Sequence, residues 1–432
     1  MGEAESGFVS PRRVGFAKRE LSRNRVVVRY ILPALRSEDY AARLNGGWFA
    51  KITLMKTVAF VFGTRPEAIK LAPVVAAFRA DGRFRVQVCV TAQHRQMLDQ
   101  VLAAFELTPD VDLNVMQPGQ TLASLTARAI VAVDEYLANA KPDLLLVQGD
   151  TTTVLAAALA AFYRKVKIGH VEAGLRTGNL NAPWPEEGNR VQTTRLSDLH
   201  FAPTQTAAQN LWNEGVPASR VFVTGNTVID ALLHMVKEVE ARPPTIPGLP
   251  ADAIAGRRFV LITGHRRENF GDGFDRMCLA IAALADRFPE VAFVYPVHLN
   301  PNVREPVNRI LGGGRANLFL LEPLGYREFI ELFRRCTLVL TDSGGVQEEA
   351  PTLNKPVLVM RETTERPEGV SVGAVKLVGA SFAGIFDGVS ELLTDDIAYR
   401  EMTNRPNPYG DGTAAVQIVA ACAKFLEGSL PA

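Results

Sequence analysis

Short apolar runs alternate with amphipathic segments along most of this 432-residue chain. Apolar, β-branched runs that end at a turn predict buried parallel strands, and apolar residues recurring every three or four positions predict helices. In the first half, these patterns predict strands at 58–62, 84–90, 143–147, 166–171 and 200–202. They predict helices that begin at 66 and that span 93–105, 122–138, 151–163, 190–196 and 205–213.

The same alternation restarts after a proline-rich segment at 241–250, which marks a change of composition. Strands are predicted at 259–263, 291–295, 317–321, 337–340 and 356–360, and helices at 272–287, 326–335 and 414–426. Strands that alternate with helices pair in parallel through right-handed crossovers. We therefore expect an α/β protein with two doubly wound Rossmann-like domains facing a cleft, where the carboxyl ends of the strands would bind a ligand.

Composition narrows the class of protein. An apolar fraction of 47% and a charged fraction of 22% are typical of a globular protein long enough for two domains. A net charge of +1 gives no electrostatic case for nucleic acid or a membrane surface as partner. The four cysteines lie far apart, which argues against a zinc site, and no apolar run reaches the ~18 residues of a membrane helix. We expect a cytoplasmic protein.

The first 54 residues differ from the rest, with eight arginines and two lysines against five acidic residues. Such arginine content resembles a targeting peptide, but the acidic residues argue against one. We expect residues 1–54 to form a poorly ordered N-terminal extension. Met55 directly precedes the first convincing strand and is a candidate start of translation.

The stretch from Thr341 to Pro351 has the composition of an anion-binding turn. It follows a predicted strand and contains Asp342 and Ser343, both favourable helix N-caps, followed by two glycines that allow a tight turn. Such a turn aims backbone N–H groups at one point, which favours a phosphate. Glu349 is placed to accept hydrogen bonds from a hydroxylated group such as a ribose. The same pattern also suits an ordinary strand-to-helix turn.

Charged and polar residues gather at the predicted carboxyl ends of the strands. In the first half they are Arg65, Glu67, Lys70, Gln93, His94, Asp150, Glu172, Arg176, Glu186 and Arg190. In the second half they are His265, Arg266, Arg267, Glu268, His298, Asp342, Ser343, Glu349, Arg361, Glu365 and Arg366. Any one alone would be read as a solvated surface charge. Together they favour an enzyme acting on a nucleotide-diphosphate sugar, because cations suit a diphosphate and carboxylates suit proton transfer.

Seven motifs then occur in one order, at 62–70, 148–153, 170–176, 183–187, 264–269, 342–351 and 361–367. The set closely resembles the non-hydrolysing UDP-N-acetylglucosamine 2-epimerases, from about residue 55 to the C-terminus. The resemblance implies a fold like that of GT-B glycosyltransferases. It also implies interconversion of UDP-N-acetylglucosamine and UDP-N-acetylmannosamine, which supplies N-acetylmannosamine units for bacterial surface polysaccharides.

The resemblance further implies a route and the residues that carry it. UDP is eliminated to give 2-acetamidoglucal, and it adds back after a proton returns to the other face of C2. The implied catalytic residues are Asp150, Glu172, Glu186 and His265, and which carboxylate is the base stays open. The implied substrate-binding residues are Arg65, Lys70, Arg190, Ser343, Gly344, Gly345, Glu349 and Arg366. Phe329 is a weaker candidate for the wall of the uracil site, since a phenylalanine is more often core.

No metal or cofactor is needed on this route, because arginines and backbone N–H groups can stabilise the departing diphosphate. A metal cluster of Asp150, His170 and Glu172 is the alternative. Some relatives also bind a second UDP-N-acetylglucosamine as an activator, at positions that correspond to Gln93, His94, Gln96, Arg266, Glu268 and His298. The loop at 116–120 lacks an arginine that some bacterial members carry, which puts the need for an activator in doubt.

The resemblance implies a homodimer. We expect domains at 55–225 and 226–412, with a C-terminal helix at 413–428 that packs back on the first domain. Three other interpretations stay open at this point: a hydrolysing epimerase that releases free N-acetylmannosamine and UDP, a GT-B glycosyltransferase, and a nucleotide-sugar binding module without catalysis.

Overall fold

The structure is a computed structural model that describes residues 55–92, 95–117 and 119–429. The predicted extension at 1–54 lies outside the described residues. Within them, two parallel sheets are each covered by helices on both faces. No helix in these ranges is long and apolar enough to cross a membrane.

The first sheet has seven parallel strands. They are β1 (Lys56–Phe62), β2 (Phe84–Val90), β3 (Val111–Asp112), β4 (Leu144–Gln148), β5 (Lys167–Val171), β6 (Leu199–Ala202) and β7 (Val221–Val223). Its helices are α1 (Arg65–Asp81), α2 (Arg95–Ala104), α3 (Leu122–Ala140), α4 (Thr152–Tyr163), α5 (Glu186–Leu196) and α6 (Gln205–Asn213), followed by α7 (Thr227–Ala241). The strand order is β3-β2-β1-β4-β5-β6-β7.

The second sheet has six parallel strands. They are β8 (Phe259–Thr263), β9 (Ala292–Pro296), β10 (Leu318–Leu321), β11 (Leu338–Thr341), β12 (Val357–Val359) and β13 (Val375–Leu377). The helices are α8 (Asp272–Arg287), α9 (Pro301–Leu311), α10 (Tyr326–Arg335), α11 (Gly344–Glu349), α12 (Pro367–Ser371), α13 (Phe382–Thr394), α14 (Asp396–Thr403) and α15 (Ala414–Leu426). The order β10-β9-β8-β11-β12-β13 repeats the pattern of the first sheet.

Both sheets are therefore doubly wound, and the predicted α/β class with two Rossmann-like sheets is confirmed. In each sheet the strand order reverses at one point, between β1 and β4 and between β8 and β11. The chain leaves these neighbouring strands toward opposite faces, which opens a crevice at their carboxyl ends. The loops after these four strands are the places where a site is expected.

Each sheet buries both faces, which explains why its strands are continuous apolar runs. On one face of the first sheet, Phe60 and Phe62 pack with α1 and with Ile418 and Cys422 of α15. On one face of the second sheet, Phe259 and Leu261 pack with helices that include α7 and α10. The domain limits at 55–225 and 226–412 stay a prediction.

Several elements differ from the pattern-based expectation. Strands β3, β7 and β13 have only two or three residues, too few for a periodic signal. Helix α9 was not predicted, although Asn300 at its N-cap and Pro301 at its first position are ordinary start signals. Helix α5 begins at Glu186 rather than at 190, because polar side chains occupy its first turn and hide the apolar period.

Candidate active site

The turn after β1 is fixed by a buried carboxylate. Thr64 caps α1, and Glu67 completes a capping box by accepting from the Thr64 backbone N–H at 2.7 Å. The other Glu67 oxygen accepts from Thr151 Oγ1 at 2.7 Å, which ties this turn to the turn after β4. Arg65 is the first residue of α1, and Lys70 lies about one and a half turns further along the same helix.

Glu172 follows β5 and is the centre of the first half of the site. Lys70 Nζ lies 2.5 Å from Glu172 Oε1, and Gln148 Nε2 at the end of β4 donates to Glu172 Oε2. Glu172 has a φ of +63°, a left-handed conformation that is costly for a residue with a Cβ. Such a backbone persists only where the surroundings hold it, and strained residues of this kind cluster at functional sites.

Asp150 and Arg190 form a second charged pair beside the first. Arg190 Nη2 lies 3.1 Å from Asp150 Oδ2, and Arg190 Nε lies 3.4 Å from Glu187 Oε2. Glu187 is buried and also accepts from the backbone N–H groups of Thr177 and Gly178 at 3.1 and 3.0 Å. Glu186, its partly exposed neighbour in the first turn of α5, interacts electrostatically with Asp150.

The two central carboxylates have opposite pKa shifts. Burial raises the pKa of Asp150 above its ordinary value, and Arg190 only partly opposes this effect. Burial would also raise the pKa of Glu172, but the charge and hydrogen bond of Lys70 outweigh it and hold the pKa below its ordinary value. Neighbouring carboxyl groups with divergent pKa values are the arrangement that acid–base catalysis requires.

In the second half, Asp342 organises the loop after β8. Its Oδ2 accepts from the backbone N–H groups of His265 and Arg266 at 2.9 and 2.8 Å, and its Oδ1 lies 3.6 Å from His265 Nδ1. The expectation that Asp342 or Ser343 would cap α11 through its side chain is wrong. Ser343 occupies the N-cap position without a side-chain capping bond, and the Asp342 carboxylate accepts from the loop after β8 instead.

The glycine turn after β11 is lined by guanidinium groups. A Cβ built on Gly344 would meet Arg366 Cζ and Arg266 Nη2, both at 3.5 Å, whereas one on Gly345 would meet nothing within 4 Å. Arg366 Nε donates to Glu348 Oε1 at 2.7 Å, and the pKa of Arg366 is raised because Glu348, Glu172 and Glu365 outweigh the effect of burial. Two cations beside a backbone without side chains suit the binding of a diphosphate.

Glu349 ends α11 in a buried position. Burial, reinforced by the charge of Glu348, raises its pKa to about 8, and Lys70, Tyr326 and Arg65 oppose this shift only in part. Its Oε1 accepts from Tyr326 OH at 3.4 Å, and its charge also interacts with that of Arg65 from the first half. The carboxyl group can therefore hydrogen-bond a hydroxylated ligand in either protonation state.

A cavity of about 620 Å³ lies between the two halves. Arg176, Arg190 and Thr204 line it from the first half, and Arg266, Arg361 and Arg366 line it from the second. Thr204 Oγ1 at the start of α6 donates to Glu368 Oε1 of α12 at 2.9 Å, which closes one wall. The cavity has room for a sugar nucleotide, and Arg190 and Arg366 link it to the two charged clusters.

The remaining predicted residues are distributed around this centre. Phe329 on α10 is partly buried against the core, with its ring 5.5 Å from that of Phe333. The rings of His298 and His265 stack at 5.3 Å, and Glu268 pairs with Arg361. Gln96 lies in α2, whereas Gln93 and His94 lie outside the described residues.

Three members of the charged clusters were missed in the sequence. Gln148 is the first residue of the motif at 148–153 but was given no role, although a polar residue that ends an apolar strand is a candidate site residue. Asn226 and Glu348 are both buried and share a hydrogen bond, although 122 positions separate them. Residue type alone does not reveal such a pairing.

The alternative of a metal cluster around His170 finds little support in the geometry. His170 is buried and its Nε2 lies 2.7 Å from the carbonyl oxygen of Gly149. Burial lowers the pKa of His170 to about 4, so the ring is neutral at physiological pH. Among the residues that the structure describes, no group of three or more His, Cys, Asp and Glu side chains is arranged to hold a metal ion.

Comparison with known proteins gives consistent matches. Residues 76–423 match the family described as UDP-N-acetylglucosamine 2-epimerase. A probable UDP-N-acetylglucosamine 2-epimerase of Ralstonia nicotianae is 56% identical over 375 residues, covering 86% of this chain and 100% of the relative. The UDP-N-acetylglucosamine 2-epimerase of Yersinia pestis is 55% identical over 367 residues, covering 84% and 97%. A crystal structure of the Neisseria meningitidis UDP-GlcNAc 2-epimerase bound to UDP-GlcNAc is 47% identical, covers 85% of this chain and 100% of that chain, and superposes with a TM-score of 0.79.

Proposed function

The chain belongs to the UDP-N-acetylglucosamine 2-epimerase family, as its seven motifs predicted, and we propose that it reversibly converts UDP-N-acetylglucosamine to UDP-N-acetylmannosamine. The observation that carries this proposal is the buried Lys70–Glu172 pair of the first half facing the guanidinium-lined turn at Gly344. A nucleotide-diphosphate sugar has a weakly acidic C2–H at one end and an anion at the other. Such a substrate therefore requires an acid–base site at C2 and an anion-binding site at the diphosphate.

The proposed reaction has two balanced steps. A carboxylate removes the C2 proton while the C1–O bond breaks, so UDP leaves with the bonding electron pair and 2-acetamidoglucal remains. An oxygen of UDP then bonds to C1 while a carboxyl group delivers a proton to the opposite face of C2. No metal, cofactor or further reactant is consumed.

Asp150 and Glu172 suit the two proton transfers. Glu172 is kept ionised beside Lys70, and burial favours a proton on Asp150. Glu186, whose charge acts on Asp150, completes the proposed catalytic set. Positioned acid–base groups of this kind contribute about 10²–10⁴-fold in rate.

Departure of UDP requires cations near the diphosphate, and the proposed ones come from both halves. Arg65 and Lys70 lie on α1, Arg366 lies against the Gly344 turn, and His265 is held by Asp342. Burial lowers the pKa of His265, with Arg266 and His298 opposing the favourable charge of Asp342. An imidazole poised in this way can gain a proton as negative charge develops on the leaving group.

Other parts of the proposal rest mainly on the family. They are a homodimer, a second UDP-N-acetylglucosamine acting as an activator, and the supply of N-acetylmannosamine units for bacterial surface polysaccharides. A cytoplasmic location is supported by the substrate class and by the four cysteines, all free and buried. Such thiols suit a reducing compartment.

Incubation with UDP-N-acetylglucosamine in deuterium oxide tests the function. The expected result is deuterium at C2 of intact UDP-sugars, with both epimers present. Free N-acetylmannosamine and UDP would instead indicate the hydrolysing reaction, and tight binding without exchange would indicate a binding module. Transfer of the sugar to an acceptor without C2 exchange would indicate a glycosyltransferase.

A further inference from the structure

Asn226 occupies the point where the chain crosses from the first sheet to α7. It is 2% exposed and forms the N-cap of α7, where its Oδ1 accepts from the Val228 backbone N–H at 3.1 Å. Its own backbone N–H donates to the carbonyl oxygen of Tyr409 at 2.7 Å, on the segment that returns to the first sheet. The two segments that connect the first sheet with the second are thus hydrogen-bonded to each other at Asn226.

The side-chain amide of Asn226 bridges two buried carboxylates. Its Nδ2 donates to Glu172 Oε1 at 3.0 Å and to Glu348 Oε2 at 3.0 Å. Glu172 follows β5 of the first sheet, whereas Glu348 lies in α11 beside the second. A neutral amide is suited to this position, since it supplies two N–H donors and one acceptor without adding charge.

The bridge continues to the glycine turn in the second half. Glu348, which is 2% exposed, accepts from Arg366 Nε at 2.7 Å through its other oxygen. The Arg366 guanidinium lies against Gly344. A continuous series of hydrogen bonds therefore runs from Glu172 through Asn226 and Glu348 to Arg366.

We propose that Asn226 is a positioning residue that sets the distance between the carboxylate acting at C2 and the cation acting on the diphosphate. This inference rests on the proposed epimerase function, since both ends of one substrate must be met at once. In this role Asn226 acts through Glu172 and Glu348. Misplacement of reacting groups by about 1 Å can cost about 10²-fold in rate, so loss of a bridge that spans both halves should lower the catalytic rate.

Three variants separate this role from helix capping. Asn226→Ser keeps a favourable N-cap but is too short to bridge Glu172 and Glu348. Asn226→Ala removes both the cap and the bridge. Ser381→Ala is the matched control, because Ser381 caps α13 by accepting from the Gly384 N–H at 3.1 Å on an exposed surface outside the cleft.

The measurements are C2 deuterium exchange, KM, UDP affinity and thermal unfolding. We expect Asn226→Ser to lose some thermal stability with the two buried hydrogen bonds but to stay folded at the assay temperature. It should lose about 10²-fold in kcat, with KM and UDP affinity little changed. Ser381→Ala should lose some thermal stability and keep the wild-type rate. A wild-type rate in Asn226→Ser, or a loss of rate in Asn226→Ala alone, would overturn the positioning role. Absence of exchange in the wild-type protein would instead refute the proposed function.

Discussion

Glu172 and Glu349 are nearly equally buried, at 9% and 7% exposed, yet they differ in charge. Glu172 in the first half lies 2.5 Å from Lys70, and that cation holds the carboxyl pKa below its ordinary value despite burial. Glu349 in the second half has the Tyr326 hydroxyl at 3.4 Å as its hydrogen-bond partner, and burial raises its pKa to about 8. The interaction partner of each carboxyl group, rather than its depth of burial, decides whether Glu172 or Glu349 is ionised.

The two halves of the cleft also differ in how their charged groups are arranged. The first half pairs each central carboxylate with a cation, Glu172 with Lys70 and Asp150 with Arg190. The second half presents cations beside a glycine turn, and Glu349, whose pKa is raised to about 8, lies at the end of the helix that follows this turn. Proton transfer suits the first arrangement and anion binding the second, so we expect variants of the two halves to have different kinetic effects.

The largest expected effect is that of Asp150→Asn. The amide preserves the shape and polarity of the side chain but carries no titratable proton, so C2 exchange should fall by about 10³-fold or more. UDP affinity, measured by calorimetry, should stay near that of the wild type. Asp134→Asn is the matched control, because Asp134 pairs with Arg164 on the exposed surface of α3. A near-wild-type exchange rate would remove Asp150 from the catalytic set.

Arg366→Lys is expected to have a smaller effect, and to change UDP affinity rather than the rate of C2 exchange. Lysine retains the charge but loses the planar fork that contacts Glu348 and faces the Gly344 turn. UDP affinity should weaken by about 10- to 100-fold, whereas exchange at saturating substrate should change much less. Arg334→Lys, which alters a pair with Glu331 on α10, is the control. A fall in kcat with unchanged UDP affinity would instead mean that the Arg366 fork acts on the departing diphosphate and does not contribute to binding UDP.

These two halves were predictable from the sequence because their fold follows local rules. Apolar runs predicted the long strands, and parallel pairing predicted that their carboxyl ends meet at one cleft. Residues such as Lys70 and Glu172 could therefore be placed together, although 102 positions separate them. The pair of doubly wound sheets followed from this alternation, whereas the likeness to GT-B glycosyltransferases was implied by the family resemblance of the motifs.

The bridges between the halves were not predictable in the same way. The direction of the Asp342 carboxylate, toward the N–H groups of His265 and Arg266, depends on how two loops meet in space. The contact of Asn226 with Glu348 depends on the relative position of the two sheets, which the connecting segments set. Neither arrangement leaves a periodic pattern, and a local rule wrongly assigned Asp342 to a helix cap.

The smallest expected effect concerns stability and tests the contrast between Glu172 and Glu349 directly. Because the folded pKa of Glu349 is raised from 4.5 to about 8, the unfolded state loses this proton first as pH rises. Its contribution therefore destabilises the empty protein increasingly between these two values. The lowered pKa of Glu172 has the opposite sign, since its stabilising contribution is lost as pH falls below 4.5.

We therefore expect Glu349→Gln to be more stable than the wild type near neutral pH. The gain in free energy of unfolding should be about 2 kcal/mol larger at about pH 7 than at about pH 5, as measured by urea denaturation. Glu172→Gln should instead lower stability at neutral pH, because it leaves Lys70 without its closest counter-charge. If both variants shifted stability in the same direction at neutral pH, burial alone would govern the two carboxyl groups, and the contrast between the halves would fail.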